Sequence, residues 1–416
     1  MTPVRGMNPT IPCLLQRLQI YILTAFVLFI LMGSGNNFSN GASYKDQNRD
    51  WNVSSIKLHD QIMTMEAQMR EVNRRLEHAK EMCKIISIAV HSNFSKTNNL
   101  YYCKIPKCAS AFVDTFFNYL ETGNKKSYNN ALTDLQISSL SRHKFMFVRD
   151  PYSRLFSLYE GYFYHPSDVW YTVGVDIISK VRNNTASRTL NLGHDVTFTE
   201  LVKYIVMLDD KNMTSSFFYP MSSLCNPCES NFDFIGKLET FSDDLAVLVN
   251  KYLNKNATLN RIITIKEIES EIKYRHSINW ITEMYQMYTK YKSVIPQFEL
   301  LQRFWSSSQI RGKISKYYNI PYFKDDQGVI DENTFTRSFQ SAMYASKSYS
   351  EELKAQHQEA LVQAFRSVPI QLIQKLKKIV ENDCRLFGYD NEPDILFKRQ
   401  TMSDKLQNVH DYFQGI

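Results

Sequence analysis

Apolar runs of five or six residues, each followed by a turn and an amphipathic segment, occur at two places in the middle of the chain. The first is Leu100–Ile105 (LYYCKI), after which Phe112–Leu120 spaces its apolar side chains as a helix does and ends near Gly123. The second is Lys144–Val148 (KFMFV), after which Pro151 suits the first position of a helix because its missing N–H is harmless there. Strands followed by helices in this order predict an α/β fold with a parallel sheet.

An uncharged apolar run near the N-terminus, Leu18–Gly35, is long enough to cross a membrane. Arg5 and Arg17 precede it without an acidic residue, which favours a cytosolic N-terminus. We predict a cytosolic tail over residues 1–17, a signal anchor over 18–35 and a lumenal remainder, as in a single-pass type II membrane protein. The alternative is a cleaved signal peptide, since the run ends in small residues. Both interpretations place the rest of the chain in the secretory pathway.

Sequons and cysteines agree with a lumenal location. Six N-x-S/T sequons lie after the anchor, at Asn37, Asn52, Asn93, Asn183, Asn212 and Asn256. Six of the seven cysteines also lie after it, where disulfides persist. Cys225 and Cys228 suit a disulfide better than a zinc or redox site, because neither a second C-x-x-C pair nor a thioredoxin-like context accompanies them. The sequence does not determine the pairing.

A heptad pattern follows the anchor. Between Leu58 and Cys83 apolar residues recur at steps of four and three. We predict a coiled-coil-like helix over 58–83 in a lumenal stem, 36–98, which would pair two copies of the chain with Cys83 as an interchain bridge. The alternative is an amphipathic helix that packs on the chain's own domain. The globular domain is predicted over 99–395, and a C-terminal tail over 396–416.

The two turns after the strands carry residues suited to anions. Pro106–Phe112 combines small residues, a helix start and Lys107, although it is not a Walker A loop because G-x-x-x-x-G-K-[ST] is absent. Arg149 would lie at the carboxyl end of its strand, where α/β sheets bind ligands, and Ser157 could join it on a phosphate. The alternatives are a purely structural turn and a surface ion pair between Arg149 and Asp150.

The composition limits which class of protein this chain can be and which partners it can bind. With 44% hydrophobic residues in 416, the chain can bury a sizeable core, which excludes a disordered or fibrous protein. The net charge of +7 fits an anionic ligand but is too diffuse to indicate nucleic acid, which we do not expect as a partner.

Together the two turns resemble those of the Golgi carbohydrate sulfotransferases, which use 3′-phosphoadenosine 5′-phosphosulfate (PAPS), and particularly the branch acting on chondroitin, dermatan and related glycans. The likeness includes Leu224–Cys228, Phe232–Glu239 and Asp383–Tyr389. It implies the sulfotransferase fold, a P-loop-like parallel sheet flanked by helices. It also implies a 5′-phosphosulfate site at Lys107, Ala109 and Ser110 and a 3′-phosphate site at Arg149 and Ser157, within a predicted cofactor-binding set of Pro106, Lys107, Cys108, Ala109, Ser110, Ala111, Phe112, Arg149 and Ser157.

The resemblance implies transfer of a sulfuryl group to a hydroxyl of a chondroitin-like or N-acetylgalactosamine-containing glycan in the Golgi lumen. Such a transfer needs in-line positioning and charge stabilisation, and we expect Lys107 to stabilise the leaving phosphate. No metal is required. The general base should be a histidine or a carboxylate. His143, His165 and His194 are the candidates, and His165 is preferred because it follows the second phosphate element.

A competing hypothesis is a catalytically weakened relative that binds or scaffolds glycans. It is motivated by Ala111, where the family usually has Thr or Ser, and by Phe217–Phe218 or Phe218–Tyr219, where the family often has a His-Trp pair. A metal-dependent glycosyltransferase is disfavoured because no D-x-D motif is present. The segment 260–366 is expected to be an atypical helical insertion, with helices near Ile265–Tyr274 and Ser350–Phe365.

Overall fold

The computed structural model describes residues 44–88, 94–97, 100–122, 143–182, 192–208, 217–252, 258–324, 328–398 and 410–413. The predicted anchor at 18–35 lies outside these ranges, as do all the sequons except Asn52. Within them, none of the helices has the length and apolar character needed to span a bilayer. The chain divides into a unit Met1–Gln61 and a unit Ile62–Ile416, and the second holds the sheet and the site described below.

Four strands form one sheet in the order β1-β2-β3-β4: Phe94–Thr97, Leu100–Cys103, His143–Val148 and Phe234–Lys237. Strands β2, β3 and β4 are parallel, as predicted, and β2 and β3 are the two strands expected from the apolar runs. Strand β1 differs, because it pairs antiparallel with β2 at the edge. Only two residues separate β1 from β2, which permits a hairpin, whereas a parallel pair needs a long crossover.

Helices surround this sheet. The α-helices are α1 Tyr44–Met82, α2 Ser110–Thr122, α3 Pro151–Tyr159, α4 Val173–Val181, α5 Phe198–Met207, α6 Met221–Leu224, α7 Pro227–Ser230, α8 Phe241–Tyr252, α9 Thr258–Tyr291, α10 Gln297–Ile310, α11 Glu332–Ala345, α12 Ser350–Ser367, α13 Ile370–Phe387 and α14 Asp394–Phe397. The helices expected near Ile265–Tyr274 and Ser350–Phe365 are confirmed as parts of α9 and α12.

Three apolar clusters fill the described part of the protein. The first surrounds the sheet, where Phe145–Val148 of β3 are buried, as expected for a strand covered on both faces. The second joins α3, α4, α5, α12 and α13. The third belongs to α9, α10 and α11 and contains Phe304, Phe335 and Phe339. Most of this third cluster comes from the segment 260–366, which was expected to be an atypical helical insertion, and Trp170 joins it from outside that segment.

The heptad face of α1 packs on the chain's own domain. Val72 and Ala79 are only 1% and 2% exposed, in the apolar cluster around the sheet. Arg75 forms a buried ion pair with Asp244, with 2.6 Å between Nη1 and Oδ2. For the part of α1 within the second unit, the structure therefore confirms the alternative interpretation, an amphipathic helix that packs on the chain's own domain. Pairing of two copies through the stem stays a prediction.

Two disulfides join distant parts of the chain, Cys83–Cys228 and Cys103–Cys225. The prediction that Cys83 bridges two chains is wrong, because its sulfur is bonded within its own chain. Cys225 and Cys228 both form disulfides, as predicted, but with partners far away in sequence. The bridges attach α1 and β2 to the short α6–α7 region.

We expect the wild type to migrate as a monomer on reducing and non-reducing gels, and non-reduced peptide mapping to find Cys83 linked to Cys228. Replacement of both residues, as Cys83→Ser with Cys228→Ser, should lower the free energy of unfolding by about 2–5 kcal/mol, because the bridge no longer restricts the unfolded chain. A disulfide-linked dimer that disappears in Cys83→Ser would contradict the intrachain assignment.

Candidate active site

The turn after β2 has the backbone of an anion-binding loop. Lys107 and Ala109 adopt φ angles of 66° and 62°, and the Cys108 N–H donates to the Ile105 carbonyl at 3.2 Å. Residues with positive φ other than glycine are uncommon and concentrate at functional sites. Left-handed residues among right-handed ones turn successive N–H groups toward one side, which creates a concave site for an anion. Helix α2 begins directly afterwards, at Ser110.

Arg154 of α3 holds this loop in place. Its buried guanidinium donates from Nε to the Pro106 carbonyl at 3.0 Å, from Nη1 to the Tyr219 carbonyl at 2.9 Å and from Nη2 to the Phe217 carbonyl at 3.1 Å. Sequence reasoning missed this residue. The only signal was a second arginine five residues after Arg149, which has no obvious chemical role when the loop is not in view.

Arg149 follows β3 and turns toward the same loop. Its Nη2 lies 3.1 Å from Nε2 of His357, and its Nη1 donates to the Lys107 carbonyl at 3.4 Å. Asp150 caps α3 instead of pairing with Arg149, because its Oδ1 accepts from the Ser153 N–H at 2.7 Å. The alternative interpretation as a surface Arg–Asp pair therefore does not hold.

One cleft of about 800 Å³ opens at the carboxyl ends of β2 and β3. Lys107 and Arg149 both line it, which is the arrangement that the sequence predicted. The same wall is formed by Ala109, Ser110, Ala111, Phe112 and Ser157. The other two predicted cofactor residues, Pro106 and Cys108, are not part of the wall. The Cys108 thiol is buried and lies 3.7 Å from the Met221 sulfur.

Residues of the segment 260–366, which was expected to be an atypical helical insertion, form a second part of the cleft wall. One face of α9 lines the cleft at steps of four and three, with His276, Trp280, Glu283, Met287 and Lys290. Arg311, which directly follows α10, and His357 of α12 also line the cleft. The helical spacing of the α9 residues is visible in the sequence, but nothing in it indicates that this face meets the two strand ends.

The Lys107 ammonium occupies a crowded, cationic position. Its Nζ lies 3.6 Å from the centre of the Tyr162 ring, a cation–π contact. Burial, together with the neighbouring Arg311 and Arg149, lowers the pKa of Lys107 to about 7 against the opposing effect of Glu160. A bound anion would favour the charged lysine, so this site is suited to a negatively charged ligand.

Of the three histidines singled out by the sequence, the cleft contains His165. Its ring is buried, and Nδ1 lies 2.9 Å from the Ser307 hydroxyl. Burial lowers the pKa of His165 well below its usual value, and Arg311, Lys313 and Lys107 act in the same direction. The buried, cationic surroundings therefore favour the neutral form of the ring. His143 and His194 do not line the cleft.

Two other histidines of the cleft wall were not predicted. His276 lies on α9 and His357 on α12. Burial, together with the neighbouring Arg149 and Arg311, lowers the pKa of His357 to about 3. Within the described ranges, no group of three or more His, Cys, Asp or Glu side chains is arranged to hold a metal ion.

Residues 90–318 match the model of the sulfotransferase family, which is more than half of the chain. The chain belongs to the sulfotransferase family. The match includes the loop after β2, the Arg149 turn, α9 and Arg311, so it extends into the segment 260–366.

Curated relatives agree with this assignment. The chain is 36% identical to carbohydrate sulfotransferase 14 of Danio rerio over 125 residues, 29% of this chain and 34% of the relative. It is 26% identical to carbohydrate sulfotransferase 11 of Rattus norvegicus over 226 residues, which are 48% of this chain and 64% of the relative. It is 28% identical to carbohydrate sulfotransferase 9 of Homo sapiens over 238 residues, which are 50% of this chain and 53% of the relative. The chain thus spans between about a third and two thirds of these relatives. No solved structure matches it significantly.

Replacing Arg154 by Ala should lower the free energy of unfolding by roughly 3 kcal/mol, because three carbonyls lose a charged donor in a buried place. Urea unfolding followed by circular dichroism measures the change. Arg74→Ala is the matched control, because this arginine is exposed on α1 and pairs with Glu71 in the same helix; its effect should stay below about 0.5 kcal/mol. Equal effects of the two substitutions would contradict the role given to Arg154.

Proposed function

We propose that this protein transfers a sulfuryl group from PAPS to a hydroxyl of a carbohydrate in the secretory pathway. The observation that carries the proposal is that the Lys107 loop and Arg149, at the ends of two adjacent parallel strands, face one cleft. Its volume of about 800 Å³ lies within the range of small-molecule sites.

The two ends of the donor match the two turns. The loop at Lys107, Ala109 and Ser110 would hold the 5′-phosphosulfate through backbone N–H groups, the start of α2 and the ammonium. Arg149 and Ser157 would hold the 3′-phosphate through a guanidinium and a hydroxyl. These cationic and hydroxyl groups fit a ligand that carries phosphate at both ends.

The reaction needs one bond to form and one to break. The acceptor oxygen attacks sulfur in line with the oxygen that joins sulfur to the 5′-phosphate, and the electron pair of the broken S–O bond stays on the phosphate. Lys107 would stabilise the negative charge that develops there. His165 is our candidate for the group that takes the proton of the acceptor hydroxyl, since its neutral ring lines the cleft.

The α9 wall suits the acceptor. Trp280 and Met287 offer apolar surface to a sugar ring, and Glu283 and Lys290 offer an acceptor and a donor for its hydroxyl groups. Carbohydrate acceptors are also named in the relatives' descriptions. We propose a chondroitin-like or N-acetylgalactosamine-containing glycan as the substrate and the Golgi lumen as the location, with residues 18–35 as the membrane anchor.

The competing hypothesis of a weakened, glycan-binding relative rests on Ala111 and Phe217–Phe218. Phe217 has a structural role in the cleft region. Its carbonyl accepts a hydrogen bond from Arg154, and the centroids of the Phe217 and Tyr162 rings are 4.7 Å apart. We therefore favour the enzyme. Incubation with labelled PAPS and a panel of glycans tests it; binding of the desulfated product PAP without transfer to any glycan would favour the competing hypothesis.

Arg149→Ala should weaken binding of PAP at least about 30-fold, because a charged bidentate contact to phosphate is lost. Isothermal calorimetry at moderate salt measures the change in Kd. Arg337→Ala is the matched control, since Arg337 is exposed on α11, outside the cleft, and its Kd should equal that of the wild type. If Arg149→Ala also binds PAP like the wild type, the 3′-phosphate does not bind here.

Binding of PAP should weaken as pH rises from 7 to 9. Free Lys107 has a pKa near 7 and the bound anion raises it, so binding above pH 7 must include uptake of a proton. The affinity should fall by about tenfold per pH unit above the pKa of free Lys107. Lys107→Arg, which stays charged, should flatten this dependence. A wild-type affinity that is constant between pH 7 and 9 would contradict it.

A further inference from the structure

Arg311 is held in a fixed position where α10 ends. Its Nε lies 2.9 Å and 3.0 Å from the two carboxylate oxygens of Glu160. The guanidinium carbon lies 4.1 Å from the centre of the Trp280 ring. An ion pair on one edge and an aromatic ring against its face leave the guanidinium little freedom to turn.

Glu160 connects this arginine to the predicted 3′-phosphate element. The residue begins the π-helical turn Glu160–Tyr164 that directly continues α3, the helix of Ser157, and its side chain is only 3% exposed. A buried carboxylate needs a charged partner, and Arg311 provides it. The pair therefore joins the second wall of the cleft to the first.

The ion pair uses only part of the guanidinium. Both Glu160 oxygens face Nε, whereas Nη1 of Arg311 is shielded from solvent and makes no hydrogen bond with any residue of the described ranges. A purely structural arginine would present its fork of Nε and Nη, or of both Nη atoms, to a carboxylate. Here the outer nitrogens are left for another acceptor.

The outer nitrogens of Arg311 lie close to the Lys107 ammonium. A Cβ atom placed on Gly161 would lie 2.5 Å from Lys107 Nζ and 3.5 Å from Arg311 Nη2, so the two nitrogens are at most 6.0 Å apart. The absence of a side chain at Gly161 leaves the room for this approach. Two cations so close together indicate a site arranged for a group with several anionic oxygens.

We propose that Arg311 is a catalytic residue that binds the non-bridging oxygens of the transferring sulfuryl group, with Glu160 as its positioning residue; this rests on the proposed function. While the acceptor oxygen bonds to sulfur and the bond to the 5′-phosphate breaks, charge spreads over the equatorial sulfuryl oxygens. A planar guanidinium beside those oxygens stabilises it, while Lys107 serves the leaving oxygen.

The test separates PAP binding from turnover in the full chain. PAP lacks the sulfuryl group, so Arg311→Gln should keep the Kd for PAP within about threefold of the wild type, a result that also shows the variant is folded. Its kcat should fall by about 10²–10³-fold. The assay follows the release of PAP from labelled PAPS. The acceptor is a glycan or, where no glycan is used, water. Arg311→Lys should recover only part of the activity, because an ammonium cannot form the fork.

Glu160→Gln should lower kcat while leaving the Kd for PAP and the KM for PAPS nearly unchanged, which a loss of folding alone would not do. Arg337→Gln is the matched control for Arg311→Gln, because Arg337 is exposed on α11. An Arg311→Gln variant with wild-type kcat overturns the proposal. So does one whose affinity for PAP falls as far as its kcat, because Arg311 would then bind a phosphate of the donor. A wild type that binds no PAP would overturn the proposed function itself.

Discussion

The positive charge gathered in one cleft is the constraint on which the rest of this structure depends. Lys107, Arg149 and Arg311 line the same space, and Glu160 is the carboxylate that opposes them at close range. Partial removal of cations from water is unfavourable unless opposite charge replaces the lost hydration. The lowered pKa of Lys107 is the visible consequence. A bound anion would relieve this condition, because it supplies the missing opposite charge.

The surrounding fold keeps these cations from moving apart. Arg154 ties the loop of Lys107 to the carbonyls of Phe217 and Tyr219. Asp383 of α13 is buried and accepts from the N–H groups of Met221 and Ser222, at 2.7 Å and 2.8 Å, which fixes the start of α6. The two disulfides attach the residues after α6 to α1 and β2. The positions of these cations are therefore fixed by elements far apart in sequence.

Local patterns in the sequence were sufficient where the deciding interactions are local. The two strands, the helix start at Pro151 and the position of Arg149 follow from short apolar runs and from helix-start chemistry, and the structure confirms them, although the first strand ends at Cys103 and not at Ile105. The heptad pattern of α1 was also visible in the sequence, but the prediction that Cys83 forms an interchain bridge was wrong. A heptad defines an apolar face without identifying its partner, and here the partner of Val72 and Ala79 is the chain's own core. Cys83 lies 145 residues from Cys228, a separation that no local signal reveals.

The sequence by itself determined the α/β class, the two turns that line the cleft and the family, because each is carried by short local motifs, although the family needs several such motifs together. Only the tertiary structure decided which groups complete the site. Trp280, Arg311 and His357 lie more than a hundred residues after Arg149 in the chain, yet they share its cleft. Their roles come from the packing of α9, α10 and α12 against the strand ends. That packing is an outcome of the whole core, and no single stretch of the sequence encodes it.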